Sequence, residues 1–356
     1  MQSLNDQSWL AVIANASDGT LRTWHIDGAG LTPEQCLPAG NTPMPLASGA
    51  GGSLFVHTRG GQRTICHFSR RPQSGYTQPP GIVPVDNDLV YIAVSPDERY
   101  LYGVSYVTNQ VIVYDLHALK RGECRLVTTA DGIAHAHCVA LSPDGRFVYV
   151  SSLSRGCIEI LRWEGATLVP SGSLFIAKDF GPRHLRIHPA SGMLYAISEF
   201  QGNIAAFTID TQSGGLALAA LPERPAALSH LHTGFPRPGV TDKVQPNPAV
   251  LATLCWASEI QVSADGAFIY TAERTSGRIL VWKKQDNGEL TNIFWVETDP
   301  QPRSIQLTPC GTWLLSCSEK TPRITLWRIN RRSGELQLHT QYNGGTGANY
   351  IEIVPW

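Results

Sequence analysis

GPRHLRIHPASGMLYAISEF, the stretch Gly181–Phe200, decides the fold. An apolar run lies on each side of a turn that contains Pro and Gly, which predicts one strand over His184–His188 and a second over Met193–Ser198. In such a hairpin the beginning of the first strand lies beside the end of the second. Arg183 stands at that beginning and Glu199 at that end, so we expect the two side chains to meet on one face of the sheet.

The same turn-and-strand unit recurs along the chain. The clear copies are SPDERYLYGVS (Ser95–Ser105), SPDGRFVYVSS (Ser142–Ser152), HPASGMLYAIS (His188–Ser198), SADGAFIYTAE (Ser263–Glu273) and TPCGTWLLSCS (Thr308–Ser318), and a weaker copy is ASGAGGSLFVH (Ala47–His57). The turn residues Pro96, Pro143 and Pro189 are 47 and 46 residues apart, and Ala264 and Pro309 are 45 apart. A third strand follows each copy and a fourth usually follows that. Four strands at this spacing are the signature of a β-propeller blade.

Seven second strands can be counted, at Trp9–Asn15, Leu54–His57, Tyr100–Ser105, Phe147–Ser152, Met193–Ser198, Phe268–Ala272 and Thr312–Cys317. The chain ends on a lone first strand, Asn349–Pro355, which we expect to complete the first blade. The sequence therefore predicts an all-β fold, a single seven-bladed β-propeller of four-stranded blades that spans residues 1–356. Pairing of the C-terminal strand with the N-terminal blade would close the ring and protect the sheet edges.

One interval is longer than the others and contains an insertion at about residues 222–254. Its Pro density argues against regular structure. It connects an outer strand to the next inner strand, so it is expected on the face where Arg183 and Glu199 lie. A lid over a site and a surface excursion without function both fit this position.

Charge and composition exclude several classes of protein. The net charge is −1, so no global field draws the chain to nucleic acid or to a membrane. The N-terminus carries no basic region before a long apolar run, and no stretch approaches 18 consecutive apolar residues, so we expect neither a signal peptide nor a membrane span. The eight cysteines are scattered and none forms a CxxC pair. They are therefore predicted to be reduced thiols of a cytoplasmic protein.

Polar residues occupy the mouths of the predicted inner strands. The position six residues before each turn proline, or its equivalent, is the mouth of an inner strand, and it holds Val90, His137, Arg183, Ser258 and Arg303. The position ten residues after that proline is the end of the second strand, and it holds Tyr106, Leu153, Glu199, Arg274 and Glu319. Asn349 lies at the mouth of the closing strand. Inner strands surround a propeller's axis, so these side chains are expected to converge at one end of the channel.

Two further expectations concern ion pairs among these residues and the direction of the neighbouring His184 side chain. Arg183–Glu199 and Arg274–Glu319 are also suited to ion pairs that lock neighbouring blades together. Strand alternation is expected to turn His184 away from the channel.

Metal and cofactor motifs are missing from the sequence. No HxH or HxxE pattern repeats in a way that demands a metal, and the arginines at the mouth oppose a divalent cation. The sequence contains no Ser–His–Asp elbow, no phosphate-binding Gly loop before a helix and no dinucleotide fingerprint. We therefore expect no metal and no cofactor.

The motifs taken together resemble the seven-bladed propeller lactonases, over nearly the full chain. The motifs are CHxxxLSPDGR-like inner strands, GPRH with a Glu sixteen residues on, Trp-Ala-x-x-Ile before xxDG (Trp256–Gly266), ERT after the next strand and QPRSIQL (Gln301–Leu307). That family includes the propeller type of 6-phosphogluconolactonase and the fungal 3-carboxy-cis,cis-muconate lactonizing enzyme. Its proposed active site, a His, two Arg and a Glu, corresponds here to His137, Arg183, Glu199 and Arg274.

The resemblance implies a cofactor-independent lactonase that takes a small, sugar-derived anionic lactone, most simply 6-phosphogluconolactone. The arginines suit the charge that develops on the carbonyl oxygen, and Glu199 or His137 suits the role of base. Arg303, Glu319 and Asn349 are the further candidates for substrate binding. The same residues suit the reverse reaction, the lactonisation of a carboxylated diene. A non-catalytic binding propeller and a metal-dependent lactonase are the rival classes, which a lactone assay and a metal analysis would separate.

Overall fold

The protein is described by a computed structural model over residues 8–71, 73–238 and 243–356. The first fifteen strands are β1 (Trp9–Asn15), β2 (Thr20–Ile26), β3 (Leu31–Pro38), β4 (Pro43–Ser48), β5 (Leu54–Thr58), β6 (Thr64–Phe68), β7 (Arg70–Arg71), β8 (Gly75–Tyr76), β9 (Gly81–Pro84), β10 (Tyr91–Val94), β11 (Tyr100–Ser105), β12 (Gln110–Asp115), β13 (Leu126–Ala130), β14 (Ala136–Leu141) and β15 (Phe147–Ser152). The other fifteen are β16 (Cys157–Glu164), β17 (Thr167–Phe175), β18 (Pro182–Ile187), β19 (Leu194–Ser198), β20 (Ile204–Ile209), β21 (Leu216–Ala220), β22 (Ala257–Val262), β23 (Phe268–Glu273), β24 (Arg278–Lys284), β25 (Leu290–Glu297), β26 (Pro302–Leu307), β27 (Trp313–Ser318), β28 (Arg323–Ile329), β29 (Leu336–Asn343) and β30 (Ala348–Pro355). The α-helices are α1 (Leu116–Lys120) and α2 (Pro248–Leu251).

The described residues form seven four-stranded sheets and one two-stranded ribbon of β7 and β8. The sheet orders are β3-β2-β1-β30, β4-β5-β6-β9, β10-β11-β12-β13, β14-β15-β16-β17, β18-β19-β20-β21, β22-β23-β24-β25 and β26-β27-β28-β29. Six sheets are thus consecutive meanders of inner, second, third and outer strand. The predicted fold class, a seven-bladed β-propeller with four-stranded blades, is confirmed.

The strand at the C-terminus belongs to the sheet at the N-terminus. β30 pairs antiparallel with β1, from Trp9 opposite Pro355 to Asn15 opposite Ala348. Ile351 is 1% exposed and packs in a core with Ile13 of β1. The predicted closure by the C-terminal strand is therefore confirmed.

The packing divides the chain into two compact units. The first contains the described residues of Met1–Gly103, Ile112–Thr128 and Thr298–Trp356, and the second contains Val104–Val111 and Thr129–Glu297. In the first unit, one core is built from the β1, β2, β27, β28 and β30 side chains. In the second unit, Tyr195, Ile260 and Trp282 belong to a core between the blades of β18 and β22. That residues 1–356 form a single domain stays a prediction.

The insertion at residues 222–254 joins the outer strand β21 to the inner strand β22, as predicted. Its described part contains a single 3-10 turn, Ala226–Leu228, and the one-turn helix α2. The side chain of Asn247 caps α2 by accepting a hydrogen bond from the backbone N–H of Ala249, and Pro248 occupies the first helical position. Regular structure is short but present, which corrects the expectation of none.

Within the described ranges, no helix is long and apolar enough to cross a membrane.

We predict that deleting residues 349–356 strongly lowers the Tm, because it removes the inner strand of the first blade. Replacing Ile351 by Ala should cost about 2–5 kcal/mol of unfolding free energy through the cavity it leaves. Pro355→Ala, exposed at the end of the same strand, is the control and should cost less than about 0.5 kcal/mol. A truncated chain that melts like the parent would contradict the closure. Thermal unfolding followed by circular dichroism measures all three.

Candidate active site

The mouths of several inner strands carry an irregularity in their pairing with the second strand. In β18 the register leaves two residues, Arg183 and His184, opposite the single residue Ile197 of β19. Such a bulge bends the strand and re-aims its side chains, and bulges are common beside active sites. The same interruption occurs at four other mouth positions, His137, Ser258, Arg303 and Asn349.

His184 lies beside Arg183 and Glu259, and its orientation relative to the channel stays a prediction. Arg183 Nη1 lies 3.1 Å from His184 Nε2, and His184 Nδ1 lies 2.9 Å from Glu259 Oε1. The bulge is the physical reason for the short distance to Arg183, because it interrupts the regular alternation of side chains along the strand.

Glu199 lies between two arginines. The Nη2 group of Arg274 donates to Glu199 Oε1, and Arg183 Nε lies 3.8 Å from Glu199 Oε2. All three side chains are at least nine-tenths buried. The expected meeting of Arg183 and Glu199 is therefore confirmed. Because a buried charge is costly unless it is paired, this ion cluster requires all of its members.

Arg274 is held by a carboxylate and by the main chain, and an ion pair between Arg274 and Glu319 stays a prediction. Arg274 pairs with Glu199, whereas Glu319 has Arg303 as its neighbour, with Nε 3.9 Å from Oε1. Arg274 is also held by the Trp256 carbonyl, which accepts from its Nε at 2.8 Å. The main chain of β22 thus fixes the guanidinium before any ligand is present.

Gly181, which lies beside Glu199 in the hairpin, helps to fix the backbone position of Glu199. Gly181 has φ +57°, a backbone conformation that favours glycine, and a Cβ there would collide with the Phe200 ring. The Gly181 carbonyl accepts from the Glu199 N–H at 2.8 Å, and the Glu199 carbonyl accepts from the Ala257 N–H at 2.9 Å. Glu199 is therefore anchored to both neighbouring strands at its backbone.

His137 lies against aromatic rings on two sides. Its ring centroid is 5.3 Å from that of His184 and 6.3 Å from that of Tyr106, which meets it edge-on. The side chain is buried. His137 is thus one ring away from Arg183, and the structure brings together all four residues predicted to be catalytic.

Positive charge is in the majority among the ion pairs described for this part of the second unit. Three guanidinium groups, those of Arg183, Arg186 and Arg274, face two carboxylates there, Glu199 and Glu259. Cations in such a partly desolvated cluster attract an anion more strongly than they would in water. An anionic ligand is therefore the kind that this cluster favours.

The three residues predicted to bind substrate lie in the first unit. Arg303 and Glu319 form the loose pair described above, and Asn349 donates from Nδ2 to the Pro43 carbonyl at 3.4 Å. Their role in binding substrate stays a prediction.

Arg59 is a further charged residue at the end of a second strand, and the sequence interpretation missed it. It directly follows the second strand β5, the position that Glu199 and Arg274 take in their own blades. Burial lowers the pKa of Arg59, the Asp88 carboxylate opposes that shift, and the nearby Arg303 guanidinium adds to it. Arg59 lies two residues after the end of the weak copy Ala47–His57, so aligning that copy with the others would have identified it.

His57 beside this group stays neutral. Burial lowers its pKa to about 3, and its Nε2 accepts a hydrogen bond from the Leu89 N–H at 3.1 Å. A histidine held neutral in this way contributes no charge to the first unit at physiological pH.

The insertion contacts the immediate neighbours of the site. The Gly234 N–H donates to the Phe200 carbonyl at 2.9 Å, and the Tyr106 hydroxyl donates to the Arg237 carbonyl at 2.9 Å. The Arg237 guanidinium carbon lies 4.1 Å from the centre of the Trp256 ring. Tyr106 and Trp256 in turn touch His137 and Arg274. The insertion lies next to the site, and its action as a lid stays a prediction.

A metal centre finds no support in the side chains that are described. Among them, no group of three or more His, Cys, Asp and Glu residues is arranged to hold a metal ion. That the protein works without metal or cofactor stays a prediction.

Comparison with known proteins decides the family. Over residues 8–352 the sequence matches the family described as Lactonase, 7-bladed beta-propeller. The chain belongs to this family. The predicted resemblance is therefore confirmed, and with it the prediction of a lactonase-type enzyme.

Named relatives and solved structures agree with this placement over the full length. The chain is 23% identical over 351 residues to a 6-phosphogluconolactonase of Pectobacterium carotovorum, covering 96% of this chain and 97% of the relative. It is 24% identical over 347 residues to one of Cronobacter sakazakii, covering 96% of each. The structure of a periplasmic gluconolactonase of Pseudomonas aeruginosa has a TM-score of 0.77 at 19% identity, covering 98% of this chain and 99% of that one. At this identity the structural likeness concerns the fold.

Proposed function

We propose that the protein is a cofactor-independent lactonase that hydrolyses a sugar-derived anionic lactone, 6-phosphogluconolactone, to 6-phosphogluconate. The observation that carries the proposal is the buried Glu199 carboxylate between Arg183 and Arg274, with His137 one ring away. Full-length relatives with the name 6-phosphogluconolactonase support the choice of substrate.

Hydrolysis begins when a water oxygen bonds to the lactone carbonyl carbon. Glu199 or His137 takes the proton of that water, and the carbonyl oxygen becomes an oxyanion. Arg183 or Arg274 stabilises the oxyanion, because donors fixed in advance act strongly where charge develops. The bond from carbon to the ring oxygen then breaks, and the protonated base returns its proton to that oxygen. The product is an open-chain hydroxy acid.

The remaining positive charge suits the anionic group of the substrate. Guanidinium groups bind phosphate or carboxylate through two parallel hydrogen bonds. Arg183 and Arg274 exceed the charge of Glu199 by one, and each guanidinium has several N–H donors, so one can donate to the oxyanion while the other donates to the anionic group of the substrate. The reverse reaction, lactonisation of a carboxylated diene, uses the same two charges and is the second candidate.

The cysteines suit a reducing compartment. All eight cysteines are free thiols in the structure, and five of them are buried. Disulfides are rare in the cytoplasm, so the proposed location is the cytoplasm.

Variants of the site should lose turnover per folded molecule, beyond any loss of stability that comes from leaving a buried charge unpaired. If Glu199 or His137 is the base, then Glu199→Gln or His137→Ala should lower kcat by about 10²–10⁴-fold. Arg183→Ala should cause a comparable loss, about 10²–10³-fold, through lost stabilisation of the oxyanion. The measurement is turnover of 6-phosphogluconolactone per folded molecule, beside a melting curve for each variant.

Arg162→Ala is the control for these variants, because Arg162 is an exposed arginine paired with Glu164. Its kcat should equal that of the parent protein. If the four residues only join neighbouring blades, the variants would lose Tm while the folded fraction kept its rate. Unchanged turnover in all three variants would show that these residues are not the active site, and it would not affect the assignment of the fold.

A panel of lactones should separate the substrate classes. We expect kcat/KM for 6-phosphogluconolactone to exceed that for glucono-δ-lactone by about 10–100-fold, since a charged hydrogen bond contributes about 1.5–3 kcal/mol. The assays contain EDTA, because the proposed mechanism uses no metal. Equal rates on both lactones would argue against recognition of the anionic group. Turnover of a carboxylated muconate alone would favour lactonisation.

A further inference from the structure

His184 and Glu259 form a hydrogen-bonded chain that ends on Arg183. We infer that this chain is a positioning device, in which Glu259 fixes the tautomer of His184 and His184 fixes the Arg183 guanidinium. The inference deepens the proposed function, on which the catalytic part of it rests. It assigns a role to two residues that are not among the predicted site residues.

The hydrogen bonds define which ring nitrogen of His184 carries the proton. A guanidinium is always protonated and has no acceptor, so Arg183 Nη1 must donate to His184 Nε2 across 3.1 Å. Nε2 must therefore be unprotonated, which makes His184 neutral with its proton on Nδ1. That proton points to Glu259 Oε1 at 2.9 Å. The tautomer of a histidine is set by the bond that its other nitrogen makes, and here that bond is to a carboxylate.

Glu259 can fulfil this role because it is itself fixed. Its Oε1 also accepts from Arg186 Nη2 at 3.0 Å and from the backbone N–H of Ile260 at 3.1 Å. Glu259 is only 1% exposed and His184 only 4%. The positive charge of Arg186 offsets the carboxylate, so the chain contains no excess negative charge that would favour a protonated His184.

The chain completes the fixation of Arg183. The same Nη1 group also donates to the Ser258 carbonyl, and Nε faces Glu199. The guanidinium is therefore held from the neighbouring strand β22, from its own strand β18 and from the end of β19. Donors that are aimed before the reaction need no reorganisation when charge develops, which is the main source of electrostatic catalysis.

The bulge in β18 makes this arrangement available. In a regular strand, side chains of adjacent residues point to opposite faces. Because Arg183 and His184 together face one residue of β19, their side chains come within hydrogen-bond distance of one another. His184 thus supports its own neighbour in sequence.

Three variants separate the hydrogen bond from the shape of the ring. His184→Phe keeps a flat ring but offers no acceptor, and we expect kcat to fall about 10–100-fold with KM within about threefold, because misplacing a catalytic group by 1 Å costs about 10²-fold. His184→Gln places an amide oxygen where Nε2 was, and should restore kcat to within about fivefold of the parent protein. Glu259→Gln offers an amide N–H to Nδ1, which favours the wrong tautomer and should lower kcat.

His188 supplies the matched control. It is another buried histidine, 3% exposed, with Nδ1 near Ser191 and Nε2 near the Ala264 carbonyl, and none of its hydrogen bonds reaches Arg183. His188→Phe should lower the Tm much as His184→Phe does, while its kcat stays that of the parent protein.

Nitrogen-15 NMR of the full chain, labelled at histidine, reads the tautomer without any substrate. In the parent protein we expect the His184 signal to show the tautomer with the proton on Nδ1. In Glu259→Gln we expect that signal to be replaced by that of the tautomer with the proton on Nε2. A proton on Nε2 in the parent protein would overturn the inference. So would a His184→Phe variant that loses no more turnover than His188→Phe.

Arg183→Ala distinguishes this failure from failure of the proposed function. If Arg183→Ala keeps full turnover, the proposed role of Arg183 fails, and the NMR signal alone decides whether His184 holds the guanidinium. If Arg183→Ala is inactive while His184→Phe is fully active, the proposed function stands and the positioning role is wrong.

Discussion

The site depends on one electrostatic constraint, the burial of the Glu199 carboxylate. A buried charge is tolerated only where opposite charges and hydrogen bonds compensate for its lost hydration. Arg274 donates to Glu199, and Arg183 faces its other oxygen. Each arginine then needs acceptors of its own, which the Trp256 and Ser258 carbonyls provide. The requirement to compensate one carboxylate thereby fixes two cations, which the proposed function assigns to the charge that would develop during lactone opening.

The propeller repeat supplies these partners in a regular way. Each blade ends its second strand beside the mouth of its inner strand, so a residue after the second strand meets one at the bulge. Blade-to-blade variation of these two positions changes the chemistry while the turns and cores stay the same. Polar residues can vary there because the β-sheet hydrogen bonds are already interrupted by the bulge, as at Arg183. In this fold, residues at the strand ends can therefore vary to determine the chemistry, whereas residues at the strand centres pack the cores and determine stability.

The sequence predicted the sheets well because the turn chemistry repeats. The strand Trp9–Asn15 was predicted to the residue, and the closing strand to within one. Arg183, Glu199, Arg274 and His137 followed from superimposing the turns. Arg59 was missed because its copy lacks the Pro–Asp–Gly turn, and the role of His184 was missed because a bulge leaves no mark in apolar alternation. The contact of Arg274 with Glu199 depends on side-chain reach across blades, which spacing along the chain does not encode.

The most direct test of this account is a crystal structure with the product, 6-phosphogluconate, bound. The product carries the carboxylate that the proposed reaction generates, and it does not turn over. The account predicts that this carboxylate lies within about 3.5 Å of a guanidinium nitrogen of Arg183 or Arg274. It also predicts that His137 or Glu199 lies within hydrogen-bond reach of the carboxyl group. A product bound elsewhere, with the Glu199 cluster unliganded, would contradict the account.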